Sequence, residues 1–105
     1  MTFDGIEPDA RTVLVVDDEG DIREAIVEIL LGDDLAAVGV GSGEDALRFL
    51  AERPAGLVVL DLMMPGMDGR QVVGELRKRG IEVPVVLISA GRDLKRTAAE
   101  LGLPA

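Results

Sequence analysis

Short apolar runs and amphipathic segments alternate along the chain, and this alternation limits the possible folds more than any other feature. The apolar runs are rich in Val, Leu and Ile, and they cover residues 12–17, Leu35–Val40, Leu57–Leu60 and Val83–Ile88. Continuous apolar runs are typical of strands that are buried on both faces, as in parallel sheets covered by crossover helices. The sequence therefore predicts an α/β fold with a doubly wound parallel sheet.

The first amphipathic segment predicts a helix that follows the first strand and ends at Gly32. Its apolar residues recur at helical spacing. We expect these residues to face the sheet: Ile22, Ala25, Ile26, Ile29 and Leu30. We expect the charged residues between them to face solvent: Asp21, Arg23, Glu24 and Glu28.

Three further helices are predicted from the same periodicity and from their end signals. The second helix begins at the capping residue Ser42 and is ended by Pro54. The third covers Gln71–Arg79, and the fourth covers Leu94–Leu101. Each helix follows a strand, so the order is strand then helix throughout.

The length and composition suit one packed domain. The chain has 105 residues, of which 48% are apolar. We expect a flexible N-terminal tail over residues 1–10 and a single domain over residues 11–105. No apolar run approaches the ~20 residues of a membrane span. The N-terminus lacks the basic-then-apolar pattern of a signal peptide, so the sequence predicts a cytoplasmic location.

The residue types that are missing exclude several kinds of site. The sequence contains no Cys and no His, which rules out disulfides, thiolate metal sites and a Ser-His-Asp triad. Any bound metal ion would have oxygen ligands, which favours Mg²⁺, Mn²⁺ or Ca²⁺. The net charge of −9 argues against direct binding to nucleic acid or to an anionic membrane surface.

Acidic side chains follow two of the predicted strands. Asp17 and Asp18 end the first apolar run, and Asp61 ends the third. Ligands of parallel α/β sheets bind outside the carboxyl ends of the strands, so we expect these carboxylates to share one crevice. Three carboxylates together repel and need a cation, and Mg²⁺ beside an uncovered Asp suits phosphoryl transfer onto that Asp. Ser89 ends the fourth run and offers a hydroxyl, while the small Ala90 leaves its backbone N–H accessible to a phosphoryl oxygen.

Three segments in order resemble the receiver domain of two-component response regulators. They are residues 15–19 (VVDDE), 59–69 (VLDLMMPGMDG) and 86–90 (VLISA). The resemblance covers the chain from about Arg11 to its end, and the middle segment is highly specific. It implies a flavodoxin-like fold with strand order 2-1-3-4-5 and a role in signalling.

The resemblance also implies roles for individual residues. Asp61 would accept a phosphoryl group from a sensor histidine kinase or a phosphotransfer protein. Mg²⁺ (or Mn²⁺) would be bound by Asp18 directly, by Asp17 through water, by Asp61 and by the Met63 backbone carbonyl. Ser89 would be the switch hydroxyl. Such a protein is not an enzyme but a phospho-acceptor with at most slow self-catalysed phosphorylation and dephosphorylation.

One part of the family pattern has no counterpart. Family members continue with a fifth strand that ends in Lys-Pro and with a fifth helix, whereas this sequence ends at Leu103–Ala105. The active-site lysine is therefore missing, and Lys95 does not match its motif. We expect a C-terminally incomplete receiver whose fourth strand, Val83–Ile88, is an apolar edge. That edge predicts a homodimer or a domain swap.

Other functions remain open at this point. The missing lysine supports a non-phosphorylatable receiver or fragment that acts as an interaction module, whereas the retained acidic positions and Ser89 argue against it. A Mg²⁺-dependent phosphohydrolase that forms an aspartyl phosphate is also possible. Members of that family usually have a second Asp two positions after the nucleophile, but this sequence has Met63 at that position. The glycines of residues 39–43 imitate a dinucleotide-binding loop, but Glu44 occupies the position of its last glycine. Met63 also predicts slow loss of a bound phosphoryl group.

Overall fold

The computed structural model describes residues 9–91 and 93–105. Strands and helices alternate as predicted. The elements in chain order are β1 (Val13–Val16), α1 (Gly20–Gly32), β2 (Ala37–Val40), α2 (Gly43–Glu52), β3 (Leu57–Asp61), α3 (Gly69–Lys78), β4 (Val85–Ile88) and α4 (Leu94–Leu101). Most of the predicted tail, residues 1–8, lies outside the described residues.

The four strands form one parallel sheet in the order β2-β1-β3-β4. Leu14 of β1 lies opposite Val38 of β2 and Val58 of β3, and Val58 lies opposite Val85 of β4. Strand order reverses at β1, where the chain first builds outward to β2 and then crosses to β3. The prediction of a doubly wound, flavodoxin-like parallel sheet is confirmed.

Three strands are shorter than the apolar runs that predicted them. Strand β2 begins at Ala37, after Leu35, because the Leu35 N–H donates to the Leu30 carbonyl of α1 at 3.0 Å. Pro84 precedes β4 and has no N–H to donate, although its carbonyl accepts from the Val58 N–H at 2.9 Å.

Helix α3 begins at Gly69, two residues before the predicted start, because Asp68 and Gln71 form a reciprocal capping box.

The predicted orientation of α1 is only partly correct, because two of the five residues expected to face the sheet are half-buried and three are exposed. Ile22 and Ile29, which were expected to face the sheet, are 45% and 66% exposed. Ala25 is exposed as well, whereas Arg23 and Val27 are half-buried. The Arg23 guanidinium donates to the Asp17 carbonyl at 2.8 Å, so this charged residue lies against the sheet instead of facing solvent. A long side chain can lay its apolar stem on the sheet and still satisfy its charged end.

One face of the sheet carries the closed core. Alternation along the strands sends every second side chain toward α2, α3 and α4. The residues from the sheet in this core are Leu14, Val16, Val38, Val58, Leu60, Val85 and Leu87. The helices add Ala46, Leu47, Phe49, Val72, Val73, Leu76 and Ala98. Burial of these aliphatic and aromatic side chains holds the strand ends, and hence the site, in place.

The residues after α4 lie beside β4. The Leu103 N–H donates to the Ala98 carbonyl at 2.8 Å, and the Pro104 carbonyl accepts from the Leu87 N–H at 3.1 Å. The edge of β4 that the sequence predicted to be bare therefore makes at least one main-chain hydrogen bond with the C-terminal residues.

Candidate functional site

The carboxyl ends of the strands bring together the acidic residues that the sequence singled out. Asp17 and Asp18 follow β1, and Asp61 is the last residue of the adjacent β3. One carboxylate oxygen from each of Asp17, Asp18 and Asp61 lies within 4.8 Å of the others. The predicted crevice is present, and these groups are close enough to bind one ion together.

Asp17 is held firmly. It is 3% exposed. Its N–H donates to the Val40 carbonyl at 3.2 Å. Its carboxylate Oδ1 accepts from the Glu19 N–H at 3.0 Å, and its carbonyl accepts from the Arg23 guanidinium. Asp18, by contrast, is exposed at the mouth of the site.

Asp61 lies at the base of the site with one oxygen restrained. Its Oδ1 accepts from the Met63 N–H at 3.1 Å, which leaves the other oxygen available. The pKa of Asp61 is raised to about 6. Partial burial is the largest cause, and the negative charges of Asp17 and Asp18 add to it, while the hydrogen bond from Met63 lowers the pKa. A cation at this place would remove that repulsion.

Ser89 and Ala90 lie in the same cavity as the carboxylates. The cavity is open, has a volume of about 410 Å³ and is lined by Asp17, Glu19, Ile22, Asp61, Met63, Ile88, Ser89, Ala90 and Gly91. The Ser89 Oγ accepts from the Gly91 N–H at 3.0 Å, so its own hydrogen is free to donate to a ligand. A second cavity of about 440 Å³ between α3 and β4 is mainly apolar, and its described lining contains no acidic cluster.

The donor set fits a hard cation. All the ligands that the cluster offers are carboxylate oxygens, and the sequence contains no His or Cys that would favour a softer metal. Mg²⁺ takes one or two carboxylates and keeps several waters, which an open cavity allows. The role of the Met63 carbonyl as a ligand stays a prediction. Lys95 lies on α4, outside the residues that line the cavity.

Two features of the site were missed from the sequence. The first is Arg23, which donates to the Asp17 carbonyl although the sequence predicted that it faces solvent. The second is Gly69, where an added Cβ would lie 2.9 Å from the Asp61 carbonyl oxygen and from the Leu62 Cα. Any side chain there would push α3 away from the strand end that carries Asp61. This requirement for glycine could have been predicted, because Gly69 begins a helix shortly after the strand that ends in Asp61.

Comparison with known proteins agrees with this geometry. The family model described as the response regulator receiver domain matches residues 13–104. The chain belongs to this family.

Among the described residues, no helix is long and apolar enough to span a membrane.

Relatives of the receiver family show how far the likeness extends. The chain is 43% identical over 81 residues to the response regulator protein FleR of Pseudomonas aeruginosa, which is 77% of this chain and 17% of FleR. A receiver protein structure from Pseudomonas putida matches with a TM-score of 0.81 at 27% identity, covering 93% of this chain and 82% of that one. The response regulator TrrA of Thermotoga maritima, solved with Mg²⁺ and BeF, matches with a TM-score of 0.79 at 32% identity, covering 89% and 81%.

The curated relatives are longer proteins. The chain spans less than half the length of those it matches, from 17% of FleR to 41% of the probable transcriptional regulator ycf27 of Cyanophora paradoxa. The likeness therefore concerns the receiver domain itself.

Proposed function

We propose that this receiver domain accepts a phosphoryl group on Asp61 in a Mg²⁺-dependent reaction, and that the donor is a phosphohistidine of a sensor kinase or phosphotransfer protein. The observation that carries the proposal is the convergence of three carboxylates within 4.8 Å beside a cavity that also contains Ser89 and Ala90. The solved complex of TrrA with Mg²⁺ and BeF supports a metal site of this kind in the family.

Asp61 provides the nucleophile. One carboxylate oxygen accepts from the Met63 N–H, and the other forms the bond to phosphorus while the bond from phosphorus to the donor's imidazole nitrogen breaks. The pKa of about 6 leaves Asp61 mostly ionised near neutral pH, so a base is not needed. Mg²⁺ would be held by Asp17, Asp18 and Asp61. Its positive charge would offset the negative charge of the phosphoryl oxygens.

Ser89 and Ala90 would contact the phosphoryl oxygens once the group is on Asp61. The Ser89 hydroxyl has a hydrogen to donate to a phosphoryl oxygen, and Ala90 lies in the same wall of the cavity. A hydrogen bond that forms only after phosphorylation would favour a second conformation, which is how a receiver signals. Ser89 is thereby proposed as the switch hydroxyl.

Met63 argues against rapid turnover. It is 68% exposed at the cavity, and its side chain has no proton to give or take. A phosphohydrolase would need an acid or base beside the acyl phosphate, so we propose a phospho-acceptor that loses its phosphoryl group slowly.

Intact-mass measurement after incubation with acetyl phosphate and Mg²⁺ tests the function. We expect a phosphoryl-sized mass gain that is lost with excess EDTA and in the Asp61→Asn variant. The Asp45→Asn variant is the matched control, because Asp45 is an exposed carboxylate that pairs with Arg48 on α2. A folded wild-type chain that gains no mass would contradict the proposal and favour the interaction module.

Self-association through the outer edge of β4 is a separate proposal about partners. Pro104 pairs with Leu87 on part of this edge. The strand nevertheless contains no charged residue between Val85 and Ile88, and charges commonly protect a sheet edge. Sedimentation over a wide range of concentrations measures it, and a monomer throughout that range would contradict it.

A further inference from the structure

Arg23 connects helix α1 to the acidic strand end. It is half-buried on the side of α1 that faces β1 and β2. Its Nη1 donates to the Asp17 carbonyl at 2.8 Å. Because Asp17 is 3% exposed, that carbonyl has little access to water and depends on a protein donor.

The side chain of Arg23 packs against two glycines, Gly39 and Gly41. A Cβ added to Gly39 of β2 would lie 2.9 Å from the Arg23 Cγ and 3.1 Å from its Cδ. A Cβ added to Gly41 would lie 3.1 Å from Nη1. Neither glycine is among those with positive φ. The reason for glycine at both positions is therefore the space that it leaves for the Arg23 side chain. The glycine-rich segment that imitated a nucleotide-binding loop makes room for an arginine.

The contact acts on the peptide unit that joins the two acidic residues. The carbonyl bound by Arg23 belongs to the same planar peptide as the N–H of Asp18. The N–H of Asp17 and its carboxylate are fixed by Val40 and Glu19. Arg23 therefore supplies the third restraint, and it is the one that sets the direction in which the chain continues to Asp18.

We propose that Arg23 is a positioning residue that preorganises Asp17 and Asp18 for Mg²⁺. This inference rests on the proposed function, since it concerns the same metal site. Groups that orient metal ligands affect affinity strongly when they are removed, although they never touch the ion.

Charge and position predict opposite effects of removing Arg23. A guanidinium close to the site repels a cation, so loss of its charge alone would tighten Mg²⁺ binding. Loss of its hydrogen bond would free the Asp17–Asp18 peptide and weaken binding. The sign of the change therefore separates a positioning residue from a merely nearby charge.

Calorimetric titration of the purified chain with Mg²⁺ measures that sign. In Arg23→Met, which keeps an apolar stem, we expect the affinity to fall about tenfold. Arg23→Lys keeps the charge and one donor, and should recover part of the loss. Gly39→Ala should imitate Arg23→Met by displacing the stem. Arg48→Met, which removes an exposed arginine from α2, is the matched control and should bind like wild type.

Unchanged or tighter binding by folded Arg23→Met would overturn the inference and leave the proposed function intact. Wild-type protein that binds no Mg²⁺ would instead overturn the proposed function. Hydrogen exchange of the metal-free protein then decides whether Arg23 restrains the loop. We expect the Glu19 amide, which donates to the Asp17 carboxylate, to exchange faster in Arg23→Met than in Arg48→Met. Equal rates would contradict the positioning role.

Discussion

The two faces of the sheet are built differently. On the face covered by α2, α3 and α4, Val58 and Leu60 are completely buried, with 0% of their surface exposed. On the opposite face, α1 has no buried residue and Val59 is only half-buried, although its neighbour Val15 on β1 is completely buried. Asp61 points to this second face, because it is two residues from Val59 on the same strand.

The two faces therefore contribute differently, one mainly to stability and the other to the functional site. The closed face supplies most of the hydrophobic burial and fixes the strand ends. The open face can then carry charged groups, because protein hydrogen bonds satisfy the buried Asp17 and the open cavity leaves Asp61 accessible to water. A functional site on the closed face would require burial of the same charges without compensation.

The largest expected effect comes from neighbouring valines on β3 that point to opposite faces. Val58→Ala should lower the free energy of unfolding by about 2 kcal/mol or more, because it removes two methyl groups from a packed core and leaves a cavity. Val59→Ala should cost about 1 kcal/mol or less, because the site is already partly exposed. Urea denaturation measures both. Equal losses would show that the two faces are equally closed.

The next effect concerns the acidic site on the open face. Mg²⁺ at ten times its dissociation constant should raise the free energy of unfolding of the wild-type chain by about 1.4 kcal/mol. Asp18→Asn should lose most of this gain, since it removes a proposed ligand. Asp45→Asn should keep it. Thermal denaturation with and without Mg²⁺ makes the comparison, and an equal gain in all three proteins would indicate nonspecific binding.

The pH dependence of stability should reveal the raised pKa of Asp61, which is caused mainly by partial burial and further by the charges of Asp17 and Asp18. The pKa of this carboxyl rises from its ordinary value of 3.8 to about 6 in the folded protein, so the folded state holds the proton more strongly than the unfolded state. The free energy of unfolding should therefore fall as the pH rises through that interval. Because Asp61 is only partly buried, we expect about 1 kcal/mol after allowing for solvent screening.

Metal-free protein in urea at several pH values provides the measurement. Asp61→Asn is the control and should lack this part of the pH dependence. If wild type and Asp61→Asn instead follow parallel curves, folding does not raise the pKa of Asp61.

The smallest effect tests the orientation of α1. Ile29 is 66% exposed, so Ile29→Ala should change the free energy of unfolding by no more than about 0.5 kcal/mol. Its neighbour Leu30 is half-buried, and Leu30→Ala should cost more. An equally large loss for both variants in urea denaturation would instead support the orientation that the sequence predicted, in which both residues face the sheet.

Much of this architecture could be predicted because it depends on local patterns. Apolar runs identified the strands, and parallel topology then placed Asp17, Asp61 and Ser89 at one edge. The capping box of Asp68 and Gln71 was also readable from spacing, although the predicted start of α3 did not use it.

The remainder depends on contacts between distant parts of the chain. Hydrophobic periodicity assigned Arg23 to solvent because it counts the residue as polar, whereas the side chain lies over Gly39 and bonds to Asp17. No local pattern indicates that Pro104 would bond to Leu87. Such contacts follow only after the sheet has brought the segments together.

Chemical mapping of the phosphoryl group tests the central claim most directly. Borohydride reduces an acyl phosphate to a primary alcohol, with release of phosphate, so phosphorylated Asp61 would become homoserine. Peptide mass analysis of the reduced protein should find this change at position 61 alone, and only after treatment with phosphodonor and Mg²⁺. Conversion at Asp17 or Asp18, or at no carboxylate in a folded protein, would contradict the assignment of Asp61 as the phospho-acceptor.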